Sequence, residues 1–140
     1  EFDHFQQLMR NKNRYDFDDM INWVIKAFNE NKNLLASYQE NFLYILVDEY
    51  QDTSGTQNNL VDLLISYWDT PNIFVVGDDD QSIYRFQGAN VENMKSFADT
   101  YSKALVTIIL TNNYRSTQSI LDISKQLIDN NQERLINKIP

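Results

Sequence analysis

Phe42-Leu43-Tyr44-Ile45-Leu46-Val47-Asp48-Glu49-Tyr50-Gln51-Asp52-Thr53 sets an apolar run directly against two adjacent carboxylates. A short apolar run rich in β-branched and aromatic residues reads as a buried strand. In open α/β sheets, ligand chemistry gathers beyond the carboxyl ends of the strands. The chain is therefore expected to be α/β, with Asp48 and Glu49 at a strand tip. Three parallel strands are expected in all, at 42–47, 73–76 and 105–110. Each leads to a polar segment: Asp48 to Thr53, then Gly77-Asp78-Asp79-Asp80-Gln81-Ser82-Ile83-Tyr84, then Asn113-Tyr114-Arg115-Ser116.

Between the runs the sequence has helical periodicity, the pattern of crossover helices packed on a parallel sheet. Phe2, Phe5, Leu8 and Met9 form one stripe, and Phe17, Met20, Ile21, Val24, Ile25 and Phe28 form another. Asp16 is predicted to cap the second by accepting the amide of Asp19. The acids of Tyr15-Asp16-Phe17-Asp18-Asp19 thus read as a helix start favourable to the dipole rather than as catalysts, and Trp23 as packing. Ser54 and Gln57 have capping-box spacing before Leu60, Leu63, Leu64, Tyr67 and Trp68, and that helix must stop before Pro71. Asn90 is the predicted cap of a helix carrying Val91, Met94, Phe97, Ala98 and Tyr101. A last stripe, Ile120, Ile123, Leu127 and Ile128, follows Ser116-Thr117.

The 140 residues suffice for one core. Twelve basic against twenty acidic residues leave a net charge of −8, which argues against a broad basic face for nucleic acid, so any polynucleotide contact is expected to be local. The absence of cysteine excludes disulfides and thiolate metal sites and fits a reducing, cytoplasmic setting. The single histidine, His4, is read as a solvated surface residue. No apolar stretch approaches a bilayer-spanning length, so no membrane partner is expected. The chain begins without methionine, which suggests a piece of something larger.

Asp48 and Glu49 are the pair that phosphoanhydride hydrolysis requires: one carboxylate to hold a magnesium ion, a neighbour to orient the attacking water. A solvated turn is the competing reading. Gln81, neutral and able both to donate and to accept, could sense a terminal phosphate without competing for the metal. Tyr84 and Phe86 are either stacking faces for unpaired bases or core residues, and Arg85 could add a phosphate contact. Tyr114 could stack on a purine. The fork of Arg115 could bridge phosphate oxygens or form a salt bridge at a helix start.

Asp48 to Thr53, Val76 to Tyr84 with Gly88-Ala89, and Asn113-Tyr114-Arg115-Ser116-Thr117 resemble, in order and spacing, motifs II, III and IV of the UvrD/Rep/PcrA family of superfamily 1 DNA helicases. Tyr15 to Asp19 resembles the segment preceding motif II there. The resemblance covers nearly the whole chain. It implies two RecA-like (P-loop NTPase) motor domains with ATP in the cleft between them, and 3′ to 5′ movement along single-stranded DNA. Asp48 would then hold Mg2+, Glu49 would activate water, and Gln81 and Arg115 would contact the γ-phosphate. Tyr114 would stack on adenine, while Tyr84, Arg85 and Phe86 would face DNA. Residues 1–110 would be the second half of the first motor domain, and 111–140 the hinge and first helix of the second.

Two departures from the family pattern stand out. Phe86 is followed by Gln87 where most relatives have arginine before Gly-Ala. The sequence also has only three glycines and no Gly-x-x-x-x-Gly-Lys-[Ser/Thr] loop. ATP and Mg2+ both need that loop, so the 140-residue chain on its own is expected to be inactive. The expected partners are single-stranded DNA and the remainder of the motor domains, with artificial oligomers of the isolated piece possible. The alternatives are a naturally short, non-hydrolysing module that binds single strands or a partner, and a nuclease-linked relative of the RecB and AddA type.

Overall fold

The computed structural model describes residues 2–82 and 92–130. In chain order they form α1 (Phe2–Asn11), α2 (Phe17–Glu30), α3 (Lys32–Asn41), β1 (Ile45–Val47), α4 (Gly55–Ile65), β2 (Ile73–Val75), α5 (Glu92–Thr100) and α6 (Gln118–Ile128). Short 3-10 turns follow each strand, at Tyr50–Asp52 and Asp79–Gln81.

Local capping chemistry starts the helices where the sequence places it. Asp16 accepts the Asp19 amide at 2.8 Å, and Asp19 returns the favour to the Asp16 backbone at 3.2 Å. Ser54 and Gln57 do the same at the head of α4. Asp19 is buried and also accepts from Gln6 at 3.2 Å, which fastens α1 onto α2. Helix α3 is an addition to the expected order. Asn31 ends α2 with its backbone and caps α3 with its side chain, accepting the Leu34 amide at 3.0 Å.

α2, α3 and α4 pack on one another around Phe28, Leu35 and Ile65, all buried. Phe28 and Tyr38 bring their rings to 5.2 Å across α2 and α3. Buried Gln39 ties α3 to the end of α4, donating to the Leu63 carbonyl at 2.7 Å and to Ser66 Oγ at 3.3 Å.

β1 and β2 are parallel, with Ile45, Leu46 and Val47 opposite Ile73, Phe74 and Val75, and α4 lies in the crossover between them. Alternation along each strand half-buries Ile45, Val47, Ile73 and Val75. The other face stays open, with Leu46 74% and Phe74 56% exposed.

The sheet corrects the expected three strands, since among the described residues it has two. The first strand is also shorter than 42–47. Phe42 is the C-cap of α3 and donates its amide to Tyr38, which keeps the start of the run out of the ladder. The second strand ends at Val75 rather than 76, although Val76 still donates to the Val47 carbonyl at 2.9 Å. The run 105–110 forms no strand. Its β-branched side chains favour extended backbone, but a strand exists only through hydrogen bonds to a neighbour, and none of the described residues pairs with it. Val106, Ile108, Ile109 and Leu110 are consequently exposed. The predicted cap Asn90 lies outside the described residues.

Candidate functional site

Because β1 and β2 run parallel with Val47 opposite Val75, their loops leave side by side from the same sheet end. The ladder continues into those loops: the Tyr50 amide donates to the Val76 carbonyl at 2.9 Å, one step beyond the Val76 to Val47 bond. The first loop is thereby sewn to the start of the second.

Glu49 sits in the left-handed region, at φ 49° and ψ 45°. Among the described residues the other non-glycine with positive φ is Asn13, a type that tolerates it. For glutamate this backbone costs about 1–3 kcal/mol and persists only where the surroundings impose it. They do so here. On one side Tyr50 is buried with its ring 5.6 Å from that of Phe97, and on the other the Glu49 amide is held by Asp48 Oδ1 at 3.0 Å. The turn buries Tyr50 and leaves the carboxylates of Asp48 and Glu49 at the surface.

In the second loop Asp78 organises the turn Asp79–Gln81. Its Oδ1 accepts the Asp80 amide at 3.0 Å and its Oδ2 accepts Gln81 Nε2 at 2.6 Å. Gln81 is thus exposed but anchored at one end. The two loops are joined by a residue that sequence reasoning passes over. Gln51, 1% exposed, donates from Nε2 to Glu49 Oε2 at 2.7 Å and accepts the Asp78 amide on Oε1 at 3.0 Å. Ser82 Oγ adds a contact to the Gln51 carbonyl at 3.4 Å. Gly77 permits the approach, because a Cβ there would stand 2.8 Å from Gln51 Oε1. An amide flanked by the carboxylates of Asp48, Glu49 and Asp52 was the available signal.

Asp48, Glu49 and Gln81 are therefore brought to one edge. Tyr114 and Arg115 are not tied to it by any hydrogen bond or ion pair among the described residues. Asn113 Oδ1 accepts the amides of Arg115 and Ser116 at 2.9 and 2.8 Å, a turn that leaves Tyr114 93% exposed just before α6. Tyr84, Arg85 and Phe86 lie outside the described residues.

The donor set at Asp48 suits magnesium carried with a nucleotide. Such an ion takes one or two protein carboxylates and completes its octahedral shell with phosphate and water. Asp48 has one oxygen engaged by the Glu49 amide and offers the other at the surface. Among the described residues no group of three or more His, Cys, Asp or Glu side chains could hold a metal ion.

A cavity of about 620 Å³ lies between α4 and α5, lined among others by Tyr50, Asn58, Asp62, Asn93 and Tyr101. Burial, with help from Asp62 and Tyr101, pushes the Tyr50 phenol up to about 12. Burial also raises Asp62, and burial together with Asp62 raises Tyr101. In each case burial disfavours the charged form of the group. Among the described residues no helix is long and apolar enough to cross a membrane.

Residues 2–102 match the UvrD/REP helicase N-terminal domain. The chain is 43% identical over 135 residues to the ATP-dependent DNA helicase PcrA of Leuconostoc citreum, covering 96% of this chain and 18% of that protein. It is 48% identical over 129 residues to the ATP-dependent DNA helicase PcrA of Staphylococcus aureus, covering 92% of this chain and 17% of the relative. The protein of the same name from Staphylococcus epidermidis is 46% identical over 129 residues, with the same shares covered. The chain thus spans less than a fifth of the length of the curated relatives it matches.

Proposed function

The chain belongs to the UvrD/REP helicase family, and from that membership we propose that it carries motifs II to IV of an ATP-dependent DNA motor that moves 3′ to 5′ on single-stranded DNA. The observation that carries the reading is the union of Glu49 and Gln81 at the carboxyl ends of two adjacent parallel strands through Gln51 and Asp78. Bound magnesium would neutralise charge developing on the phosphates. Asp48 is the residue that would hold it. Glu49, fixed by its strained backbone and by Gln51, orients the attacking water and takes up its proton. Gln81, steadied by Asp78, contacts the terminal phosphate, and its displacement when that phosphate leaves is passed to the segment containing Tyr84, Arg85 and Phe86, which would meet the DNA bases.

Tyr114 and Arg115 approach the same nucleotide from a second lobe, as adenine platform and phosphate clamp. On this reading residues 1–110 are the second half of the first motor domain, and 111–140 are the hinge and first helix of the second. The match ending at residue 102 and the irregular exposed run that follows support the division. A cytoplasmic location is part of the proposal. So is the inactivity of the 140-residue chain alone, which has no loop to seat the β- and γ-phosphates.

The test is ATP turnover by the full-length gene product with and without single-stranded DNA. Glu49→Gln should lower stimulated turnover a hundredfold or more while Mg-ATP still binds. Turnover unchanged by Glu49→Gln sinks the assignment.

A further inference from the structure

We propose that Gln51 is a positioning residue for hydrolysis, a rigid link that aims the Glu49 carboxylate and keeps the Gln81 loop in register with it. The proposal rests on the reading of Glu49 as the group that orients water.

The geometry leaves the amide one orientation. The Asp78 amide is a donor, so it must meet Gln51 Oε1, and the Glu49 carboxylate is an acceptor, so it must meet Nε2. The two bonds, 3.0 and 2.7 Å long, lie on opposite ends of one planar group. Glu49 and Asp78 therefore cannot shift independently without breaking one of them. Gln51 is 1% exposed, so neither bond competes freely with water, and its own carbonyl is touched by Ser82, just past the turn Asp79–Gln81. Gly77 supplies the remaining constraint, because any side chain there would occupy the space of Oε1.

A neutral amide suits this position. A surface carboxylate on a flexible side chain samples several rotamers, whereas one oxygen held by a buried donor leaves the other in a fixed place for a water. A lysine or arginine would hold Glu49 equally well but would cancel its charge. Gln51 orients the carboxylate and leaves its charge in place. The same amide fixes the backbone from which Asp78 grips Gln81, so a displacement of Gln81 reaches Glu49 through three hydrogen bonds and one rigid plane.

The experiment uses the full-length gene product with Gln51→Met, which keeps the length of the side chain and removes both polar atoms, and Gln51→Glu, which keeps its shape and removes the donor. DNA-stimulated kcat should fall ten- to a hundredfold in both, with KM for ATP within twofold of wild type. Combining Gln51→Met with Glu49→Gln should lower kcat no further than Glu49→Gln alone. Hydrogen exchange at the Asp78 amide should quicken at least tenfold in Gln51→Met, a readout independent of turnover and measurable even if that variant is less stable. If Glu49→Gln is inactive but Gln51→Met turns over ATP normally, or if the two losses multiply, Gln51 has no positioning role. Unchanged exchange at Asp78 also overturns it. If Glu49→Gln itself stays active, the catalytic reading of Glu49 fails first and the role of Gln51 falls with it.

Discussion

Asn93, in the first turn of α5, donates its side-chain amide to the backbone carbonyl of Thr53 at 2.9 Å. A helix that begins beyond the second loop thereby holds the downstream end of the first, while Phe97 on the next turn of that helix covers Tyr50. The carboxylate edge is gripped from below by residues that never reach it. Asn93→Ala is expected to lower stability by about 1 kcal/mol, the usual cost of one lost hydrogen bond at a part-buried carbonyl. Urea denaturation of wild type and variant measures it.

Ser54 and Gln57 cap α4 reciprocally, so their removal should not be additive. Ser54→Ala should cost about 1 kcal/mol, and the double variant with Gln57→Ala little more than that. A sum of two full single losses in denaturation midpoints would show that the residues act separately.

Tyr50 ionises late. Its folded value of about 12 stands above the ordinary 10.0, so the native state keeps the phenolic proton where the unfolded chain has lost it. The stability this contributes is fully present below pH 10 and is lost as pH rises towards 12. Tyrosinate absorbance should show a phenol titrating near pH 12, Tyr50→Phe should remove that step, and Asp62→Asn should bring it to lower pH by deleting a nearby negative charge.

In the full-length gene product, Tyr114→Ala should raise KM for ATP about fivefold while changing kcat less, as expected for the loss of a stacking platform worth ~1 kcal/mol. Arg115→Ala should do the reverse, lowering kcat more than binding. Steady-state kinetics separates the two. Equal effects on both constants in both variants would contradict the division of labour.

Val106, Ile108, Ile109 and Leu110 are exposed within five residues, and the sheet has an open face at Leu46 and Phe74. The isolated 140-residue chain should therefore self-associate as concentration rises. Ile108→Lys with Leu110→Lys should weaken that association, as read by sedimentation velocity.

What could be read in the sequence was what is settled within a few residues. The caps at Asp16 and Ser54 depend on a side chain and an amide three positions away, and they stand where expected. Helix α3 escaped because its apolar stripe, Leu34, Leu35 and Tyr38, is short and is joined to α2 by the single residue Asn31. The run 105–110 has strand-forming residues yet no ladder, since pairing needs a neighbour and composition cannot supply one. At the site, Asp48, Glu49 and Gln81 stood out as chemically charged or versatile groups at strand ends. Gln51 did not, because its meaning depends on Asp78, twenty-seven positions further on.

The left-handed turn at Glu49 makes position 49 a place where two selections disagree. A library randomised there and screened only for expression and thermal resistance should return glycine and asparagine, whose backbones accept that geometry without penalty. The same library screened for nucleotide turnover should return glutamate. Redesign guided by backbone strain alone will therefore tend to replace the very side chain proposed to orient the water.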